Sequence, residues 1–171
     1  EVGVNHEGDL VKAKKMIDEI ASSGAQAVKF QTYKADKLAA KNSPGYWDFN
    51  SEPTRTQHEL FSKFDAFNQK QYIDLAEHCK TKNIDFLSTP FDLDCLDWLV
   101  PLMPSIKIAS ADLNNYLLLE AICSFGKPVI LSVGASSDQE IVDAVAFIRN
   151  HTDSKITLLH GFQAYPTKIE D

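Results

Sequence analysis

Short apolar runs recur along the chain, and each closes on polar residues. They end as Val28-Lys29-Phe30-Gln31, Phe86-Leu87-Ser88-Thr89-Pro90, Ile106-Lys107-Ile108-Ala109-Ser110, Val129-Ile130-Leu131-Ser132 and Leu158-Leu159-His160. Strands are expected over residues 26–31, 84–88, 106–109, 129–132 and 156–160, and residues 1–4 read as the tail of an earlier one. Between the runs, apolar residues return at helical spacing. Leu10, Ala13, Ile17, Ile20 and Ala21 mark one face of a helix with Asp9 as N-cap and Gly24 as its stop. Asn68 with Gln71, and Ser137 with Glu140, have the three-residue spacing of capping boxes. Tyr72, Leu75, Ala76 and Cys79 form the buried stripe of the first of these helices, and Ile141, Val145 and Ile148 that of the second. Asp92 can cap a short helix bearing Leu96, Leu99 and Val100, and Asn114 or Asn115 caps another that ends before Gly126 and Pro128.

Strands alternating with helices imply a parallel sheet with right-handed crossovers. The pattern alone fits both a closed barrel and an open doubly wound sheet, but no G-x-G-x-x-G follows the first strand, which disfavours dinucleotide binding. Residues 32–67 lack clear periodicity. So long a connection carries either function or a short extra element, and a packed surface excursion is expected before a substrate lid.

The 171 residues suffice for one domain with a sizeable core. A net charge of −7 argues against nucleic-acid or anionic membrane partners. No apolar stretch approaches the length of a membrane span. Cys79, Cys95 and Cys123 fit neither a disulfide framework nor a zinc motif and read as buried hydrophobes in a reducing, cytoplasmic setting. The chain starts at Glu1 without Met and stops in a polar stretch, so it reads as part of a longer protein.

Parallel β/α barrels gather the carboxyl ends of their strands around one mouth. In a barrel, the lysines and hydroxyls at those ends would converge on one cavity suited to an anion, most simply a phosphate ester. Alternation puts Lys29 opposite Val28 and Phe30, with Gln31 on its own side. A lysine inside a barrel strand is costly unless it meets an anion, and Lys107 repeats the pattern. Arg55 and Arg149 are the only arginines, so lysines, hydroxyls and backbone N–H groups are the expected phosphate contacts. Ser88, Thr89, Ser110 and Ser132 would serve beside the lysines, since no nucleophile elbow surrounds a serine. Gly134 fits either close approach to a ligand or a tight turn. Glu1 and Asp112 are the carboxylate candidates for proton movement. His6 and His160 lie at strand ends, where a structural role for His160 is expected. His58, His78 and His151 look like surface residues. Tyr165, followed by Pro166, could hold its ring against a ligand.

Taken in order, Glu1-Val2-Gly3-Val4-Asn5-His6-Glu7-Gly8, Val28-Lys29-Phe30-Gln31-Thr32, Phe86-Leu87-Ser88-Thr89-Pro90-Phe91, Lys107-Ile108-Ala109-Ser110, Asn114-Asn115-Tyr116-Leu117-Leu118, Gly126-Lys127-Pro128-Val129-Ile130-Leu131-Ser132 and Tyr165-Pro166-Thr167 resemble the N-acetylneuraminate (sialic acid) synthase family. The resemblance implies a (β/α)8 TIM barrel, present over residues 1–171 as an incomplete barrel of about six strands. Its last strands and a small C-terminal antifreeze-like domain would be missing. It implies condensation of phosphoenolpyruvate with an open-chain N-acylated amino sugar, giving a nine-carbon 2-keto acid and phosphate. Lys29, Thr89, Lys107, Ser110 and Ser132 would hold phosphoenolpyruvate, with Gln163 on the phosphate side. Glu1, Gln31, Asp112 and Tyr165 would lie near the sugar or the reacting centre. A divalent metal, manganese or magnesium, would be bound by residues past Asp171. A homodimer is expected of the whole protein, and the piece alone is expected to be inactive.

Three departures bear on the acceptor. Asp112 stands where the family commonly has Glu, Val133-Gly134-Ala135 replaces Thr-Gly-Met, and Gln163 replaces an asparagine. They leave open an N-acetylmannosamine-like acceptor, a legionaminic or pseudaminic type, or a sugar phosphate, which the few arginines disfavour. A non-catalytic carbohydrate-binding paralogue is the remaining alternative.

Overall fold

Val28, Phe30 and Thr32 alternate with Lys29 and Gln31, and the computed structural model, which describes residues 1–161, forms a strand there: β1, Ala27–Thr32. The first set is buried and the second partly open, on opposite faces. β1 pairs in parallel with β2, Asp85–Pro90, so Lys29 stands beside Leu87 and Gln31 beside Thr89. On the buried face the Phe30 and Phe86 rings lie 5.7 Å apart, and Thr32 and Ser88 share a 2.7 Å hydrogen bond. Ser88 therefore faces away from Lys29. Its expected phosphate role is corrected: one residue of register sends its hydroxyl into the core.

This sheet belongs to the first of two compact units, Glu1–Leu102. Its helices are α1 (Leu10–Ser22), α2 (Ala35–Leu38), α3 (Gln57–Phe64), α4 (Gln69–Thr81) and α5 (Leu96–Leu99). The Asp9 carboxylate accepts the N–H groups of Val11 and Lys12, the N-cap read from the sequence. Asn68 and Gln71 form the expected capping box on α4, whose Tyr72, Leu75, Ala76 and Cys79 are buried. α1 and α4 pack on each other and on the sheet. Asp92 caps a 3-10 turn, Leu93–Cys95, that runs into α5.

Residues 32–67 hold more order than their pattern shows. α2 and α3 lie here, and Thr56 with Glu59 makes a complete capping box. α3 has no buried side chain, so it leaves no apolar period to read. Polar ties hold the segment instead. The Asp65 carboxylate accepts Lys34 Nζ at 2.6 Å and the Ala35 N–H at 3.0 Å, and the Trp47 indole donates to the Glu52 and Thr54 carbonyls. His58 meets Asp36 and His78 meets Asp18, each at 2.8 Å, with only 19% and 21% of their side chains exposed. These two surface histidines clasp neighbouring helices together.

The second unit runs from Met103 to Asp171. Its strands β3 (Ile106–Ile108), β4 (Val129–Ser132) and β5 (Ile156–Leu159) pair in parallel in that order. α6 (Tyr116–Cys123) and α7 (Asp138–His151) follow β3 and β4. Asn115, not Asn114, caps α6, and Ser137 with Glu140 forms the capping box on α7. Ile106, Ile108, Leu119, Ile122, Leu131 and Ile148 make the centre of this core.

The described residues therefore contain five strands in two sheets, not six. The strand expected over residues 1–4 is reduced to a single parallel bridge, Gly3 to Phe30. Gly3 sits at φ +55°, outside the extended region, so the ladder cannot continue through it. All three cysteines are buried thiols, and burial pushes Cys79 and Cys95 up to about 12. Among the described residues no helix is long and apolar enough to cross a membrane.

Candidate functional site

The turn at Gly3 does chemical work. The N–H groups of Val2 and Gly3 both donate to the Lys29 carbonyl, at 2.9 and 3.1 Å, and lay the first residues along β1. This brings the Glu1 carboxylate to the Lys29 ammonium, Oε1 to Nζ 2.7 Å. A Cβ on Gly3 would lie 3.7 Å from Glu1 Oε1 and 3.9 Å from Gln31 Nε2. Glu1, Lys29 and Gln31 thus form one polar cluster, and Thr89, buried beside Gln31 in register, completes its face. Sequence reasoning named all four but did not pair Glu1 with Lys29. The signal was Gly3, a residue free to turn where a strand was expected.

The second unit places Lys107 on β3 beside Ile130, and Ser132 two residues further along the same face of β4. Lys107 is 8% exposed. Its ammonium donates to Ser132 Oγ at 2.6 Å and to the Ile108 carbonyl at 2.7 Å. Hydroxyl and carbonyl dipoles orient the charge at the carboxyl end of the sheet, the geometry expected of an anion contact. Ser110 opens the 3-10 turn Ser110–Asp112 directly after β3. The Asp112 carboxylate accepts Asn115 Nδ2 at 3.2 Å, and burial raises its pKa, with the Asn115 bond opposing. A carboxyl raised this way holds a proton more readily than a solvated one.

Gly134 lets two stretches of backbone meet. A Cβ there would collide with the Gly161 carbonyl oxygen, so the two backbones touch only because residue 134 has no side chain. His6 is a core residue: its ring stacks on Phe67 at 4.2 Å and Nδ1 accepts the Gly8 N–H at 3.0 Å. Burial, then the charge of Lys12, lowers its pKa. Gln163 and Tyr165 lie outside the described residues. Among the described residues no three His, Cys, Asp or Glu side chains come together as a metal site, so these residues by themselves do not fit a metal centre.

The same architecture recurs in known proteins. A sialic acid synthetase from Leptospira borgpetersenii, solved with citrate, superposes with a TM-score of 0.85 at 37% identity, over 100% of this chain and 55% of that one. An N,N'-diacetyllegionaminic acid synthase of Legionella pneumophila is 34% identical over 100% of this chain and 50% of its own length. An N-acetylneuraminate-9-phosphate synthase of Drosophila melanogaster is 33% identical over 100% of this chain and 46% of its own. The chain spans about half the length of the curated relatives it matches. The model of the NeuB family matches residues 16–171, which takes in both strand lysines and the hydroxyls beside them. With ordered motifs, fold and family model in agreement, the chain belongs to the NeuB family.

Proposed function

We propose that the whole protein condenses phosphoenolpyruvate with an N-acylated amino sugar to a nine-carbon 2-keto acid and inorganic phosphate, as a homodimer in the cytoplasm, and that its catalytic domain is a (β/α)8 barrel. The observation that carries the reading is the buried Lys107 ammonium oriented by Ser132 at the carboxyl end of a parallel sheet. Lys29, Thr89, Lys107, Ser110 and Ser132 are the proposed contacts for the phosphate and carboxylate of phosphoenolpyruvate. C3 of phosphoenolpyruvate forms the new bond to the sugar aldehyde carbon, whose oxygen takes up a proton. Water adds at C2, and the C–O bond to phosphate breaks. Asp112, with its raised pKa, supplies or takes up a proton near this centre. Glu1, Gln31 and Tyr165 contact the sugar, and Gln163 lies toward the phosphate. A manganese or magnesium ion would polarise the aldehyde. Its ligands are assigned past residue 171, and no described residue is given to it.

The relatives' names cover several product sugars, so the acceptor is proposed only as a class. The test offers the whole protein phosphoenolpyruvate with N-acetylmannosamine, a 2,4-diacetamido hexose and N-acetylmannosamine 6-phosphate, and follows the 2-keto acid by mass spectrometry. A nine-carbon product with one of them supports the reading. Sugar binding with no phosphate released from phosphoenolpyruvate would favour the carbohydrate-binding alternative.

A further inference from the structure

We propose that Tyr72 is a positioning residue: its hydroxyl, set by two buried hydroxyls behind it, holds the end of β1 so that the Gln31 side chain meets the sugar. The proposal rests on the function above, in which Gln31 contacts the acceptor. Thr32, the next residue, gives its carbonyl to the Phe91 N–H on the side of β2. Alternation along the strand turns the Gln31 carbonyl to the opposite edge. On that edge the Lys29 carbonyl takes the N–H groups of Val2 and Gly3, and the chain turns away at Gly3. The Gln31 carbonyl lies past this bridge. Its donor is the Tyr72 hydroxyl, brought by α4 to 2.7 Å.

The Tyr72 ring is buried, edge-on to Phe67 at 5.8 Å and 5.7 Å from Trp98. Burial raises its pKa, with a hydrogen bond from Thr32 opposing, so the phenol keeps its proton. That single proton goes to the Gln31 carbonyl, which leaves Thr32 as the donor between Thr32 and Tyr72. Thr32 has then committed its own proton, so Ser88, 2.7 Å away, donates to it. Ser88, Thr32, Tyr72 and the Gln31 carbonyl make one directed chain across β2, β1 and α4. It gives the core-facing Ser88 hydroxyl a task. Without the Tyr72 oxygen the Gln31 carbonyl loses its donor and its peptide is freer to turn, carrying the side chain with it. Lys29 lies two residues back, where the ladder to β2 holds it without this chain. The effect should therefore fall on the sugar rather than on phosphoenolpyruvate.

Steady-state kinetics of the whole protein test this, comparing wild type with Tyr72→Phe and with Leu75→Val, a packing control on the same helix. Tyr72→Phe keeps the ring and removes one oxygen. Its KM for the amino sugar should rise about three- to tenfold, the range one hydrogen bond allows, while its KM for phosphoenolpyruvate stays within about twofold of wild type. Leu75→Val should lower the melting temperature and leave both KM values unchanged. In Tyr72→Phe, two unaltered KM values, or two that rise together, overturn the proposal. An equal rise in sugar KM in Leu75→Val overturns it as well. If Tyr72→Phe melts early, Thr32→Val carries the test: it removes the middle hydroxyl and keeps the branched shape, and the same selective rise supports the proposal while none overturns it. Binding of N-acetylmannosamine is measured alongside by calorimetry. Wild-type turnover with an unaltered Tyr72→Phe sugar KM sinks the positioning role alone. Sugar binding that weakens in Tyr72→Phe, with no phosphate released by the wild type, keeps the role and sinks the proposed reaction. A wild type that neither binds nor turns over the sugar sinks both.

Discussion

His6 has one ring nitrogen committed as an acceptor and almost no solvent around it. Protonation would put hydrogen on Nδ1, turn away the Gly8 N–H and bury a charge. Its folded-state pKa lies below the ordinary 6.5, so the neutral ring favours the fold. That stability is fully present above about 6.5 and is lost as pH falls through the lower folded value. Between pH 7.5 and 5.5 the wild-type melting temperature should fall further than that of His6→Phe. The variant should cost about 1 kcal/mol at neutral pH, for the lost bond to Gly8. Equal slopes in a pH-resolved thermal melt would contradict the assignment. At this scale the sequence was a partial guide. The alternation around Lys29 and Lys107 was legible because a strand permits only two faces. Ser88 and Thr89 look alike in the sequence, because hydroxyls one residue apart at a strand end differ only in register.

Local chemistry marked most of the elements. Asp9, Asn68, Asp92 and Ser137 all cap where their spacing placed them, since a cap needs only one oxygen and a nearby N–H. α3 leaves no apolar period in the sequence, because it buries nothing fully. Its Thr56 and Glu59 were readable as a box. Thr56→Ala and Ser137→Ala should each cost about 1 kcal/mol in denaturant unfolding. Loss of α3 would also release the ties at Asp36, so Thr56→Ala should speed amide exchange over residues 35–64 while Ser137→Ala leaves that segment unchanged. Gly134→Ala should cost more, about 1–3 kcal/mol, because its methyl group meets rigid backbone at Gly161. A Gly134→Ala protein as stable as wild type would mean that the two loops do not touch. The strand expected over residues 1–4 failed at Gly3, where a positive φ overrides the apolar pattern of Val2 and Val4.

For the whole molecule, the parallel α/β class followed from alternating runs and helices, and the family from motifs in order. Strand order and the division into two units were not legible, because each depends on contacts between distant segments. The relatives are about twice as long, and activity is proposed for the whole protein alone. The isolated 171 residues should release no phosphate from phosphoenolpyruvate above background. β5 exposes Leu158 and Leu159 at 46% and 43%, so the isolated piece should also self-associate in sedimentation. The most direct measurement is acceptor-dependent phosphate release by the whole protein, wild type against Lys107→Met, both checked for native melting. The account predicts release that requires the amino sugar and falls by about a hundredfold or more without the Lys107 charge. Release that is unchanged in Lys107→Met, or that never depends on the sugar, would contradict it.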